Sequence, residues 1–187
     1  MNRREALKQA ALLTGIAVSG SVATAILQGC QAEHIPDFTP VFFTPEQMKE
    51  ITAMAETILP HSADSPGAID VGVPAFIDQI ANEALKPEQQ TKAREGIDQL
   101  IQACQAKNGK LFSALSAAEQ LAYLKEVDTN AKQAKGQSYY LEMKQLVILG
   151  YYTSESVGTE VLAYDPIPGA YNGCIDLSET GGKVWSL

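Results

Sequence analysis

The sequence predicts an all-α protein, with a single compact domain of about five or six helices and an irregular C-terminal tail. Three observations carry this prediction. Apolar residues recur at helical spacing between residues 44 and 162, helix-start signals precede most of these stretches, and Pro, Gly and Tyr replace them from residue 163 onward. The chain has 187 residues, of which 45% are hydrophobic, enough for one domain with a buried core.

The first helix shows the clearest start and stop signals. Thr44 can cap the helix, Pro45 suits its first turn, and Gln47 can close a capping box. Pro60 predicts its end, because a proline disfavours helical backbone in the residue before it.

Further helices follow at intervals that leave only short connections. They are predicted to begin at Pro74, at Pro87, after Ser116, at Ser138 and, for a short sixth helix, at Ser156. The fifth, Ser138–Tyr152, has a competing interpretation, because residues 146–152 are rich in β-branched and aromatic residues. We favour a helix there, since the helical pattern continues from upstream without a break.

The segment 163–187 has the composition of turns rather than of helices. Its apolar side chains need cover, either from the helical body or from a partner protein. We expect the tail to form part of a partner interface, through Tyr164, Pro168, Tyr171 and Trp185.

Residues 1–30 read as an export signal. Arg3 and Arg4 stand in a pattern that resembles the twin-arginine consensus, and residues 10–27 follow without a charge. The low hydrophobicity of that stretch makes a stable membrane span the weaker interpretation, and an uncleaved anchor is the alternative.

The signal ends in a pattern that resembles a bacterial lipobox, Leu27-Gln28-Gly29-Cys30. Cleavage before Cys30 would leave this residue to carry the lipid, which predicts a membrane-anchored lipoprotein of the periplasm or cell envelope. The alternative is plain cleavage near Ala23 or Ala25.

Residues 31–43 are predicted to form an extended tether, followed by the domain at 44–187.

Charge excludes one class of partner. The formal net charge is −8, and because residues 1–30 carry +2, the remainder carries −10. Nucleic-acid binding needs clustered Lys and Arg, so nucleic acid is not an expected partner. An acidic domain is also repelled by anionic lipid headgroups, so contact with the membrane is expected through the lipid anchor alone.

The sequence offers no convincing catalytic, cofactor-binding or metal-binding constellation. It contains no dinucleotide-binding glycine motif, no P-loop and no nucleophile elbow. Its two histidines, His34 and His61, lack metal-ligand spacing, and His61 beside Asp64 lacks the further groups that acid–base catalysis needs.

Two cysteines remain for pairing if Cys30 is lipidated. Cys104 lies on an apolar helix stripe, where an inert core thiol is usual, whereas Cys174 lies in a glycine-rich loop. An exposed odd cysteine in an exported protein suggests an intermolecular disulfide or a free thiol. A Cys104–Cys174 bridge is the competing possibility.

Short motifs near both ends of the domain resemble the gluconate 2-dehydrogenase subunit 3 family. They are Ile58-Leu59-Pro60, Ser65-Pro66-Gly67-Ala68, Val71-Gly72-Val73-Pro74-Ala75-Phe76-Ile77-Asp78, Gly150-Tyr151-Tyr152-Thr153-Ser154, Gly158, Tyr164, and Pro168 through Cys174. The motifs consist of turn formers and aromatic residues. It is their order and spacing, over nearly the whole chain, that carry the resemblance.

The resemblance implies a small, non-catalytic subunit without a cofactor of its own. The implied partner is a large flavoprotein of the glucose–methanol–choline type, which holds FAD, oxidises a sugar, sugar acid or polyol, and often passes electrons to a cytochrome c. An independent helical envelope lipoprotein that binds a ligand or another envelope protein is the alternative. A free-standing enzyme built around His61 is a third interpretation.

Overall fold

The computed structural model describes residues 38–134, 138–167, 169 and 174–186. These residues belong to the compact unit Pro36–Leu187. The predicted signal residues Arg3, Arg4 and Cys30 lie outside the described residues, as do two of the predicted interface residues, Pro168 and Tyr171.

The all-α prediction is confirmed. The α-helices are α1 Pro45–Ile58, α2 Val73–Glu83, α3 Pro87–Asn108, α4 Ala117–Gln133 and α5 Tyr139–Tyr152. Single helical turns also occur at Phe112–Ala114, Val157–Val161 and Leu177–Thr180. The strand interpretation of residues 146–152 is wrong, because the helical pattern of α5 continues to Tyr152.

Local signals explain where these helices begin and end. Thr44 and Ser116 both form complete capping boxes. The cap hydroxyl accepts from the backbone N–H of the third helical residue, and the side chain of that residue accepts from the backbone N–H of the cap. Gly109 ends α3 with a φ of 69°, a conformation that glycine adopts without strain. The predicted sixth helix is a π-helical turn at Val157–Val161, and the tail contains a short 3-10 turn that its composition did not predict.

Helix α5 is the centre of the arrangement and packs against α1, α2, α3 and α4. The core between these helices includes Ile51, Ile77, Ile97, Phe112 and Val147, all buried. Leu149 and Tyr152 lie on an exposed side of α5, so this helix is not buried all round.

Two glycines bring helices into close contact. A Cβ atom at Gly96 of α3 would lie 2.3 Å from Cγ of Tyr139, and one at Gly150 of α5 would lie 2.6 Å from a ring carbon of Phe76. Each glycine therefore provides the space into which an aromatic ring packs.

The domain begins before residue 44, which corrects the predicted tether boundary. Phe42 and Phe43 are buried in the core. The carboxylate of Asp78, on α2, accepts hydrogen bonds from the backbone N–H groups of Val41, Phe42 and Phe43 at 2.7, 3.1 and 2.9 Å. Residues 41–43 are therefore part of the folded domain.

Arg94 on α3 completes this attachment. Its guanidinium lies 4.2 Å from the ring centroid of Phe42 and donates to the Phe42 carbonyl at 3.1 Å.

Within the part of the chain that the structure describes, no helix is long and apolar enough to cross a membrane.

Candidate partner interface

Within the described residues, one β-bridge joins the two ends of the tail, next to the helical body. Ala163 and Trp185 pair in parallel, with the Ala163 N–H donating to the Val184 carbonyl and the Ser186 N–H donating to the Ala163 carbonyl, both at 2.8 Å. The Lys183 ammonium donates to the Glu160 carbonyl and adds a second attachment. The C-terminal segment thus returns to the turn that follows α5.

Large apolar side chains remain exposed on this fastened tail. Tyr164 is 56% exposed, Ile167 85%, Val184 69% and Trp185 52%, and Leu177 is also exposed. Apolar side chains brought together on a surface, rather than scattered singly, are typical of interaction sites. Two of the four predicted interface residues, Tyr164 and Trp185, are therefore exposed, and the bridge brings the backbone segments that carry them side by side.

The same segment is acidic. Its carboxylate residues between 155 and 186 are Glu155, Glu160, Asp165, Asp176 and Glu179. Lys183 is the only cationic residue of that range, and its ammonium already bonds to a backbone carbonyl. A partner surface that combines apolar and basic groups would complement this tail.

The loop between α1 and α2 contains the motif residues 65–68 and is organised by two carboxylates. Glu56 accepts from the backbone N–H groups of His61 and Ile69, at 3.1 and 3.3 Å. Asp70 accepts from the Gly67 N–H at 2.7 Å and lies 2.7 Å from the His61 ring nitrogen Nδ1. His61 thus pairs with Asp70, and not with Asp64 as its sequence neighbourhood suggested.

The early and late motifs meet in space. The hydroxyl of Tyr151 donates to the Pro66 carbonyl at 2.9 Å, and the Phe76 ring lies against Gly150. Gly67 is required because a Cβ atom there would lie 2.7 Å from the Glu56 carboxylate and from the His61 nitrogen. These motif residues hold the scaffold together.

The two cysteines of the domain differ in exposure. Cys104 is buried on α3, and burial raises the pKa of its thiol, an effect that a hydrogen bond from Asn108 opposes and the nearby Glu50 reinforces. Cys174 is exposed in the tail. The pairing of Cys104 or Cys174 in a disulfide stays a prediction.

Three polar side chains, of which Asp78 and Glu50 are buried and Arg94 is exposed, were not predicted from the sequence to have a specific role. Asp78 and Arg94 fix residues 41–43, and Glu50 accepts from the backbone N–H and the hydroxyl of Ser113. For Asp78 and Glu50 a signal existed, since a carboxylate on the apolar side of a helix needs a partner. The partner itself could not be read from the pattern.

The described residues contain no group of three or more His, Cys, Asp or Glu side chains that could hold a metal ion. Several of their charged groups take part in loop organisation, caps and ion pairs, among them Lys144 with Asp128 at 2.6 Å. What the described tail offers is a set of exposed apolar side chains and acidic residues beside a helical scaffold.

The family model for gluconate 2-dehydrogenase subunit 3 matches residues 45–169, two thirds of the chain. The chain belongs to the gluconate 2-dehydrogenase subunit 3 family. The match runs from the first helical residue of α1 into the tail and ends before Cys174 and Trp185, so it is shorter than the resemblance in the sequence suggested. A search of the curated proteins and a search of the solved structures gave no significant match.

Membership places the chain among accessory subunits of dehydrogenase complexes. In this subunit-3 protein the motif residues Gly67, Gly150 and Tyr151 support the fold, whereas several exposed apolar side chains lie in the tail.

Proposed function

We propose that this protein is the non-catalytic small subunit of a periplasmic, FAD-dependent dehydrogenase of the glucose–methanol–choline type, acting on a sugar, sugar acid or polyol. The observation that carries the proposal is the exposed apolar surface around Tyr164 and Trp185, fastened to a body whose family is named for a subunit. A surface of this kind supports permanent association with a partner.

In this proposal the chemistry belongs to the partner. The large subunit holds FAD and oxidises the substrate, and a cytochrome c is a further candidate partner as electron acceptor. The small subunit contributes surface complementarity, which stabilises the catalytic subunit by mass action because it binds the folded form.

The second contribution is export. The twin-arginine route moves folded proteins, and cofactor insertion is the usual reason to fold before export. A partner that acquires FAD in the cytoplasm supplies that reason, so the signal with Arg3 and Arg4 would carry both subunits. Lipidation of Cys30 would then keep the complex at the membrane.

Cell fractionation tests the export role. Replacing both arginines by lysine (Arg3→Lys with Arg4→Lys) keeps the charge and should leave the flavoprotein in the cytoplasm together with this chain. Lys8→Arg, a charge-conserving change outside the arginine pair, is the matched control and should export normally. A flavoprotein that still reaches the periplasm in the double variant would contradict the export role.

Co-purification tests the assignment itself. A tagged, full-length chain isolated from its native membrane should bring a flavoprotein with it, visible by flavin absorbance. Capture of no flavoprotein would instead favour an independent envelope lipoprotein.

Non-reducing electrophoresis of the same complex tests the intersubunit disulfide. A larger band that collapses on reduction and is lost in Cys174→Ser supports the intersubunit bond. A band of monomer size with neither Cys104 nor Cys174 open to thiol reagents would support the internal bridge.

A further inference from the structure

The β-bridge gives the C-terminal segment a defined outer edge. In a parallel bridge, the backbone N–H and C=O of one residue bond to the residues before and after the residue that it faces on the other strand. Here the N–H and C=O of Ala163 bond to the Val184 carbonyl and the Ser186 N–H. The N–H and C=O of Trp185, which lies between them, therefore point away from Ala163.

That outer edge is open. Within the described part of the chain, nothing bonds to the backbone N–H or C=O of Trp185. The side chains of Val184 and Trp185 are exposed beside it. Exposed backbone groups next to apolar side chains are the features by which an extended segment of another protein adds to a sheet edge.

Charge selects among the occupants of this edge. A second copy of the chain would bring another acidic tail against the five carboxylates of residues 155–186, and like charges across an interface are strongly unfavourable. An anionic lipid surface would be repelled in the same way. An extended protein segment that alternates apolar and basic side chains satisfies the backbone, the apolar groups and the charge together.

We propose that residues 184–186 form an acceptor edge for such a strand, supplied by the catalytic subunit, which makes these residues the central strand of a small intermolecular sheet, between Ala163 and the strand of the partner. This inference rests on the proposed function and adds the binding mode to it. The backbone of Trp185 supplies the pairing, the side chains of Val184 and Trp185 supply apolar contact, and the net negative charge of residues 155–186 attracts the basic side chains.

Hydrogen exchange on the native complex tests the pairing without a mutation. Fragmentation to single-residue resolution separates the Trp185 amide from that of Ser186, which is already bonded to Ala163. The Trp185 amide should exchange at least about tenfold more slowly in the complex than in the isolated subunit. An unchanged rate for this amide would overturn the proposal.

Two substitutions at one position test the role of the N–H. Trp185→Ala removes the ring and keeps the N–H, whereas Trp185→Pro also removes the N–H. Both leave the inward bonds of Val184 and Ser186 available. The proline variant should bind the catalytic subunit about tenfold more weakly than the alanine variant, and equal affinities would overturn the proposal.

A charge reversal tests the chemistry of the partner strand. Glu160→Lys should slow association and reduce its dependence on salt, and Glu95→Lys, an exposed position on α3, should change both less. Protection of the Trp185 amide by anionic lipid vesicles, or by concentrating the isolated subunit, would identify a different occupant and overturn the proposal.

The outcomes separate the two proposals. A complex that forms normally without protection at Trp185 removes the β-edge and leaves the proposed function intact. Failure of any flavoprotein to co-purify with the unmodified chain removes the proposed function, and the assigned occupant with it.

Discussion

The helical body and the C-terminal tail satisfy their apolar and polar groups in opposite ways. In the body, residues 41–152, long-range contacts such as those of Asp78 and Glu50 pair buried groups with partners on the same chain. Among the described residues of the tail, a β-bridge between Ala163 and Trp185 and a lysine contact hold segments on which Tyr164, Ile167 and Val184 stay exposed. The body also exposes single apolar side chains, such as Val41 and Leu149, but it encloses a buried core that the described tail residues lack.

This difference separates the substitutions that should affect folding stability from those that should affect association with a partner. Substitutions in the body should change the free energy of unfolding, because its groups have intramolecular partners. Substitutions in the tail should change association instead, because its exposed groups gain partners only in a complex.

The largest effect is expected at Asp78. Asp78→Ala leaves the backbone N–H groups of residues 41–43 without their acceptor, and we expect a loss of about 3 kcal/mol in the free energy of unfolding. Asp78→Asn keeps one acceptor oxygen and should lose about half as much. Urea unfolding measures both, and a loss no larger than that of an exposed substitution would show that residues 41–43 are held by other contacts.

A smaller effect is expected at Gly96, where the added Cβ would meet the Tyr139 side chain close to the α5 backbone. Gly96→Ala should cost about 2 kcal/mol of stability, although alanine favours helix. Gly109→Ala is the control, because nothing lies within 4 Å of its Cβ position and only the positive φ opposes the change, at about 1 kcal/mol. A stabilised Gly96→Ala would mean that α3 and α5 are less closely packed.

Alkaline pH should weaken the body. Burial, with lesser contributions from nearby acidic groups, raises the pKa of Tyr123 and of Tyr140 to about 12. An unfolded tyrosine releases its proton near pH 10, so between these values the unfolded chain binds fewer protons than the folded one. The free energy of unfolding should therefore fall as the pH rises above about 10, and be insensitive to these groups at lower pH.

Urea midpoints measured from pH 8 upward would record this slope. Burial also raises the pKa of Tyr139, with a lesser contribution from Glu142. Tyr123→Phe removes one of these three tyrosine hydroxyls and should make the slope less steep. An unchanged slope in that variant would assign the alkaline sensitivity to other groups, such as the Cys104 thiol, whose pKa is also raised by burial.

The smallest effect on stability is expected in the tail. Trp185→Ala should change the free energy of unfolding of the isolated subunit by less than about 0.5 kcal/mol, because the ring is half exposed. The same variant should reduce the amount of flavoprotein that co-purifies. A large loss of stability without a loss of association would make the tail part of the body and end the contrast between the two regions.

Sequence reasoning worked best where the cause is local. The starts of α1 and α4 followed from the helix-start signals at Thr44 and Ser116. It failed at residues 41–43, because two prolines and no periodicity indicated a tether. Burial of Phe42 depends on Asp78 and Arg94, which lie 36 and 52 residues away.

The sequence by itself determined the helical class, most helix boundaries, the acidic charge and the family, because caps, periodicity, composition and motif order are properties of neighbouring residues. Only the tertiary structure decided that the motif residues Phe76 and Gly150 pack together, and that Trp185 lies beside Ala163 with its backbone edge open. Those relations join residues 74 and 22 positions apart. Such distant pairs form only when the chain closes around its core, and no local pattern encodes which pairs will meet.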